Sequence, residues 1–199
     1  MLDRRPTLFR AAKFLSTIGN PLVTSAFMIG AACFHFLDRA RAAEVLAILI
    51  LCVIAPITWW NGRGVQKGQY SDFDVSRRQD RVTMYPIVVL LPLIGSIVLW
   101  VRHQPAALSG GMLSAGLMSL AAFVVNRWIK ISLHAAFSFY YAAASAALGW
   151  AWVPALTIFA VLVTASRWIV GRHVWRELVL GSILGLAAGF LFLAALGIA

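Results

Sequence analysis

Long apolar runs alternate with short polar stretches along almost the whole chain. A helix that crosses a bilayer needs about 20 mainly apolar residues. Seven runs approach that length: Ile18–Leu37, Ala43–Trp60, Val82–Val101, Ala106–Val125, Ile131–Gly149, Trp150–Ala165 and Leu178–Ile198. The sixth is the shortest. Trp59, Trp60, Trp100, Trp128, Trp150 and Trp152 fall near the ends of runs, where interfacial aromatics gather. The pattern predicts an all-α fold, a polytopic transmembrane helix bundle of about six to seven spans. It shows no internal repeat and no soluble appendage, so residues 1–199 are expected to form a single integral membrane domain.

Composition sharpens this. Hydrophobic residues make up 61% of the chain, charged residues 12%, and the mean hydropathy is +0.85. Soluble domains average roughly 45–50% apolar and about 25% charged residues. No short apolar stretch followed by a small-residue cleavage site opens the chain, so the N-terminus is expected to be retained. Cys33 and Cys52 both lie inside apolar runs, without metal-ligand spacing, and read as small buried hydrophobes.

The net charge is +10. On a soluble chain this would suggest nucleic acid. Here the basic residues sit between apolar runs, so an anionic lipid surface and a phosphate group are the expected partners instead. Seven spans would put the N-terminus, 61–81, 126–130 and 166–177 on one side. Of the 17 Lys and Arg residues, only Arg39, Arg41 and Arg102 fall on the other. The excess of positive charge places the first side in the cytoplasm of a cell membrane.

Three polar stretches share that side. In 166–177, His173 and Glu177 are four apart at the start of a run, on one face of a helix. A carboxylate there fixes the imidazole tautomer and leaves the second nitrogen as a nucleophile. Arg167 supplies a guanidinium fork suited to phosphate oxygens. In 130–134, Ser132 and His134 sit at a helix start, where backbone N–H groups and the dipole favour an anion. His134 is placed to protonate a leaving oxygen. In 67–81, Lys67 and a run of arginines accompany Asp72, Asp74 and Asp80. The aspartates raise the thought of magnesium, which binds carboxylates together with phosphates. The plain readings of these stretches are a juxtamembrane ion pair, a capped helix and a salt-bridged loop.

Together the stretches resemble the type-2 phosphatidic acid phosphatase superfamily, whose relatives include glucose-6-phosphatase and the vanadium haloperoxidases. That family carries the motifs K-x6-RP, PSGH and SR-x5-H-x3-D. The third is matched by Ser166-Arg167, five residues, His173, three residues and Glu177, with Glu in place of Asp. The second is matched by Ile131-Ser132-Leu133-His134, without its Pro and Gly. The first departs most. Lys67 has no Arg-Pro seven residues on, and Arg77, Arg78 and Arg81 lie farther along.

The resemblance implies a membrane lipid phosphatase that needs no metal or other cofactor and acts through a phosphohistidine. His173 would be the nucleophile, Glu177 its orienting carboxylate and His134 the acid and then base. Lys67, Arg167, Ser132 and either Arg78 or Arg81 would hold the phosphoryl oxygens. The expected substrate is a lipid phosphate or polyprenyl diphosphate, since the site lies at the bilayer surface on a chain without a soluble domain. Two alternatives stand beside it. One is a magnesium-dependent prenyl or phospho-alcohol transferase built on Asp72, Asp74 and Asp80. The other is a lipid-binding or transport protein that has lost catalysis.

Overall fold

The computed structural model of the chain describes residues 6–198, and their regular structure is entirely helical. The basic residues Arg4 and Arg5 lie outside the described residues. Helices α1 (Pro6–Ile18) and α2 (Pro21–Phe36) are bent by 52° where Gly19 and Asn20 interrupt them. Asn20 caps α2 by accepting from the Leu22 N–H, and Pro21 fills the first helical position, where no N–H partner is needed. Gly19 packs so closely on Val163 that an added Cβ would lie 2.5 Å from its methyl group.

Asp38 caps α3 (Arg39–Leu49), which runs through a π-helical turn at Ile50–Ile54 into α4 (Ala55–Gln66). Pro56, just past the turn, has no N–H and its ring crowds the preceding carbonyls. One wide turn accommodates it while the helix continues. Cys52 faces outward on this turn, against expectation, whereas Cys33 is buried.

Helices α5 (Arg81–Val101), α6 (Ala106–Val125), α7 (Leu133–Ala144), α8 (Trp152–Ile169) and α9 (Trp175–Ala195) complete the bundle. Among the described residues, five helical stretches are long and apolar enough to cross a membrane: α3–α4 taken together, α5, α6, α8 and α9. The bent α1–α2 pair makes a sixth if it is counted as one span.

The expected span Ile131–Gly149 is not one continuous α-helix. Its α-helix, α7, has only 12 residues, followed by a 3-10 turn at Ser145–Leu148. Its apolar character serves burial inside the bundle, since ten of those 12 residues are buried. The run from residue 18 to 37 is likewise broken, because Gly19 and Asn20 stop one helix and cap the next.

Helix α7 lies at the centre and packs most closely on α9. Gly181, Gly185 and Gly189 recur every four residues on α9 and face the backbone of α7. A Cβ on Gly181 would lie 2.6 Å from the Ser132 carbonyl, and one on Gly185 would strike the Ala136 carbonyl. The two backbones therefore touch with no side chain between them. Tyr85, Met118, Phe137, Tyr140, Phe192 and Leu193 fill the surrounding core. Tyr140 Oη donates to the Gly111 carbonyl of α6 at 2.9 Å.

The polar loops 67–80, 126–132 and 170–174 converge at one end of the bundle. Arg78 bridges two of them by donating to the Arg127 and Trp128 carbonyls. Lys130 and Arg172 join the third, through the Lys130 bond to the Arg172 carbonyl and the Arg172–Asp72 ion pair.

Candidate active site

His173 ends the loop before α9, and Glu177 lies in the first turn of that helix, where the dipole favours an acid. His173 Nδ1 is 2.7 Å from Glu177 Oε2. Lys130 Nζ lies 3.5 Å from the same carboxylate oxygen and donates to the Arg172 carbonyl at 2.8 Å. The histidine is only 5% exposed, and its Nε2 is buried without a hydrogen-bond partner. The Ser132 N–H donates to the Glu177 carbonyl at 3.2 Å, joining the start of α7 to the first turn of α9. Ser132 itself caps α7, accepting from the Ala135 N–H.

Arg167 arrives from the last turn of α8 and is almost wholly buried. One terminal nitrogen donates to Ser16 Oγ of α1 and to Asp74 Oδ2, the latter at 2.8 Å, while Nε has no partner. Asp74 Oδ1 accepts from Asn20 Nδ2 at 2.8 Å. Asp74 Oδ2 also faces His134 Nε2 at 3.7 Å, too long for a hydrogen bond. His134 Nε2 is therefore buried and unpartnered as well. Such orphans are rare in folded proteins and mark places where a ligand or water completes the bonding.

Arg81, the first residue of α5, is 2% exposed and donates to the Val75 and Ile131 carbonyls. It locks the two loops together and adds a buried cation beside His173. Val75, between Asp74 and Arg81, adopts a left-handed backbone with φ 48°. That conformation is a true outlier for a β-branched residue, and such positions cost about 1–3 kcal/mol. The loop thus holds Asp74 in place against local strain.

These surroundings set the charge states. Burial, then the neighbouring cations Lys130, Arg81 and Arg167, push the His173 imidazole well below its ordinary range, so it is neutral. Burial also lowers Lys130, opposed by Glu177. Burial alone would raise the Asp74 carboxyl, but the facing His134 and the Arg167 guanidinium outweigh it.

The structure brings His173, Glu177, His134, Arg167, Arg81 and Ser132 to one place. Two other candidates stand elsewhere. Lys67 is exposed at the C-cap of α4, and the ammonium beside the His173–Glu177 pair belongs to Lys130. Arg78 is spent on loop carbonyls. The three acidic residues considered for magnesium each meet donors of their own: Asp72 holds Arg172 and Ser76, Asp80 accepts from the Ser71 N–H, and Asp74 holds Arg167 and Asn20. Among the described residues, no three His, Cys, Asp or Glu side chains gather as metal ligands. Sequence reasoning missed Lys130 and the place of Asp74. The available signals were Lys130 two residues before Ser132, and an acid standing at the position, seven after Lys67, where the similar motif has arginine.

Compared with known protein families, with characterised proteins and with solved structures, the chain matches none.

Proposed function

We propose that the chain is a multi-pass membrane phosphatase that hydrolyses a lipid phosphate or diphosphate through a phosphohistidine at His173, without a metal. The observation that carries this reading is the state of His173. One nitrogen is tied to Glu177, and the other is neutral, buried and unpartnered among Lys130, Arg81 and Arg167. A neutral imidazole with a fixed tautomer is a nucleophile, and fixed cations around it neutralise the equatorial oxygens of a phosphoryl group in flight. The motif resemblance at Ser166-Arg167, His173 and Glu177 points the same way.

In the reaction, His173 Nε2 attacks phosphorus and the P–O bond to the leaving group breaks. His134 takes the acidic proton of the bound phosphate monoanion, gives it to the departing oxygen, and then takes one from the water that attacks the phosphohistidine. Inorganic phosphate leaves, and His173 returns to its neutral form. The apolar helices support a site at a bilayer surface, and the charge bias of the loops favours the cytoplasmic side.

The deciding experiment is to quench turnover of a labelled lipid phosphate at alkaline pH, where phosphohistidine survives. Label is expected on the wild type in the presence of EDTA, and none on His173→Ala. Label on an aspartate, or activity lost with EDTA, refutes the reading.

A further inference from the structure

A cleft of about 660 Å³ opens on the flank of the bundle, between α2 and the junction of the π turn with α4. This volume is in the range of ligand sites. Leu22, Val23, Ala26 and Ile54 give it an apolar side, and Asp74 and the exposed Arg172 line its polar end. The apolar side continues the outward apolar surface of α2, where Val23 and Phe27 are exposed. The cleft is thus amphiphilic along its length, greasy on the flank and charged at the loops.

Both carboxylates that line the charged end already hold a cation: Arg172, which lines the cleft too, and Arg167, which is buried beyond Asp74. Asp72 Oδ2 holds Arg172 at 3.0 Å, and Asp74 Oδ2 holds Arg167 at 2.8 Å. The same Asp74 oxygen faces the unpartnered Nε2 of His134. One anionic oxygen therefore stands between a guanidinium and an imidazole, the position a phosphoryl oxygen needs. Carboxylate and phosphoryl oxygens compete for a guanidinium fork by the same charge-assisted bonds.

We propose that this cleft seats the apolar chain of a lipid phosphate, and that the phosphoryl group reaches Arg167 by displacing the Asp74 carboxylate. The proposal rests on the phosphatase reading for the fate of the bound lipid, while the binding mode is tested separately. A lipid is the occupant because chain and anion match the two halves of one cleft, whereas a soluble phosphate would use only the polar end. Asp74 acts here as a resident ligand of the anion site, so its removal should tighten binding.

The test is binding of a fluorescently labelled phosphatidate to the full chain in detergent, with orthovanadate as the chainless probe. Ala26→Trp fills the apolar wall and should weaken lipid binding at least ten-fold. Ile158→Trp, on the exposed flank of α8, should leave it unchanged. Asp74→Asn, whose neutral amide competes poorly for Arg167, should bind vanadate about ten-fold more tightly, by the usual strength of a charge-assisted bond. Unchanged lipid binding in Ala26→Trp, equal loss in Ile158→Trp, or vanadate binding no tighter in Asp74→Asn overturns the proposal. Hydrolysis separates the two claims. Ala26→Trp should lose at least ten-fold more turnover on the lipid than on an aryl phosphate, and equal losses count against the cleft. If the wild type hydrolyses neither substrate, the phosphatase reading falls and the binding arms still judge the cleft.

Discussion

Replacing Glu177 separates an orienting carboxylate from a structural one. In the structure Glu177 Oε2 takes His173 Nδ1 at 2.7 Å and stands 3.5 Å from Lys130. Removing the side chain leaves a buried imidazole N–H without an acceptor and an ammonium without its counter-charge. A hydrogen bond to a charged group contributes about 1.5–3 kcal/mol. If all of it acts on the tautomer that attacks, Glu177→Ala slows turnover about 10- to 150-fold, at about 1.4 kcal/mol per decade. Glu177→Gln is the sharper probe. Its amide can donate to Nδ1 and force the proton onto Nε2, which removes the nucleophilic lone pair, so it should be no better than Ala. Glu177→Asp keeps the charge and should retain most activity. The assay is the initial rate on a lipid phosphate in detergent, paired with the alkaline quench for phosphoenzyme. Full rate in Glu177→Ala, or Glu177→Gln faster than Glu177→Asp, would show that the pair is structural.

Three other outcomes are expected. Lys130→Ala should lower kcat/KM by about 10²-fold or more, as loss of a charge-stabilising donor does, while Lys67→Ala stays within about two-fold. Comparison of the two rate constants checks this. Gly185→Ala pushes a methyl into the Ala136 carbonyl and should destabilise by about 1–3 kcal/mol, as overpacking does. Gly62→Ala, where a Cβ meets nothing within 4 Å, should be neutral or slightly stabilising, and melting in detergent compares them. The third concerns pH. His173 is neutral when folded and has its pKa depressed below 6.5, so the unfolded chain binds a proton that the folded chain does not. Stability is full above the ordinary histidine range and falls as pH drops below it, by up to about 1.4 kcal/mol per pH unit. His173→Asn should lower that slope between pH 7.5 and 5.5.

The parts of the fold and site that were legible in the sequence are local ones. The runs at 82–101 and 106–125 became α5 and α6 with nearly the expected bounds, because each is apolar throughout and ends at polar residues. The His173–Glu177 contact follows from four-residue spacing, which a helix turns into proximity by itself. The Gly19–Asn20 break was hidden because both residues sit within an apolar stretch. Burial of α7 was hidden because a lipid-facing helix and a core helix are equally apolar. Lys130 and Asp74 were hidden for another reason. Their contacts to Glu177 and Arg167 join separate loops, and no periodicity along the chain reports which loops will meet.

The elbow between α1 and α2 gives the first helix a mechanical role. Ser16, one turn before the bend, takes a hydrogen bond from Arg167, and Asn20, just after it, holds Asp74. Helix α1 carries exposed Leu8 and Phe14 beside exposed Arg10 and Lys13, a mixture suited to the headgroup layer. Gly19 is seated hard against Val163, so the elbow has a fixed fulcrum. A tilt of α1 relative to the bundle is therefore transmitted as a lever to the arginine and the aspartate at once. Whatever tilts α1 therefore changes the spacing of a buried guanidinium and a half-buried carboxylate.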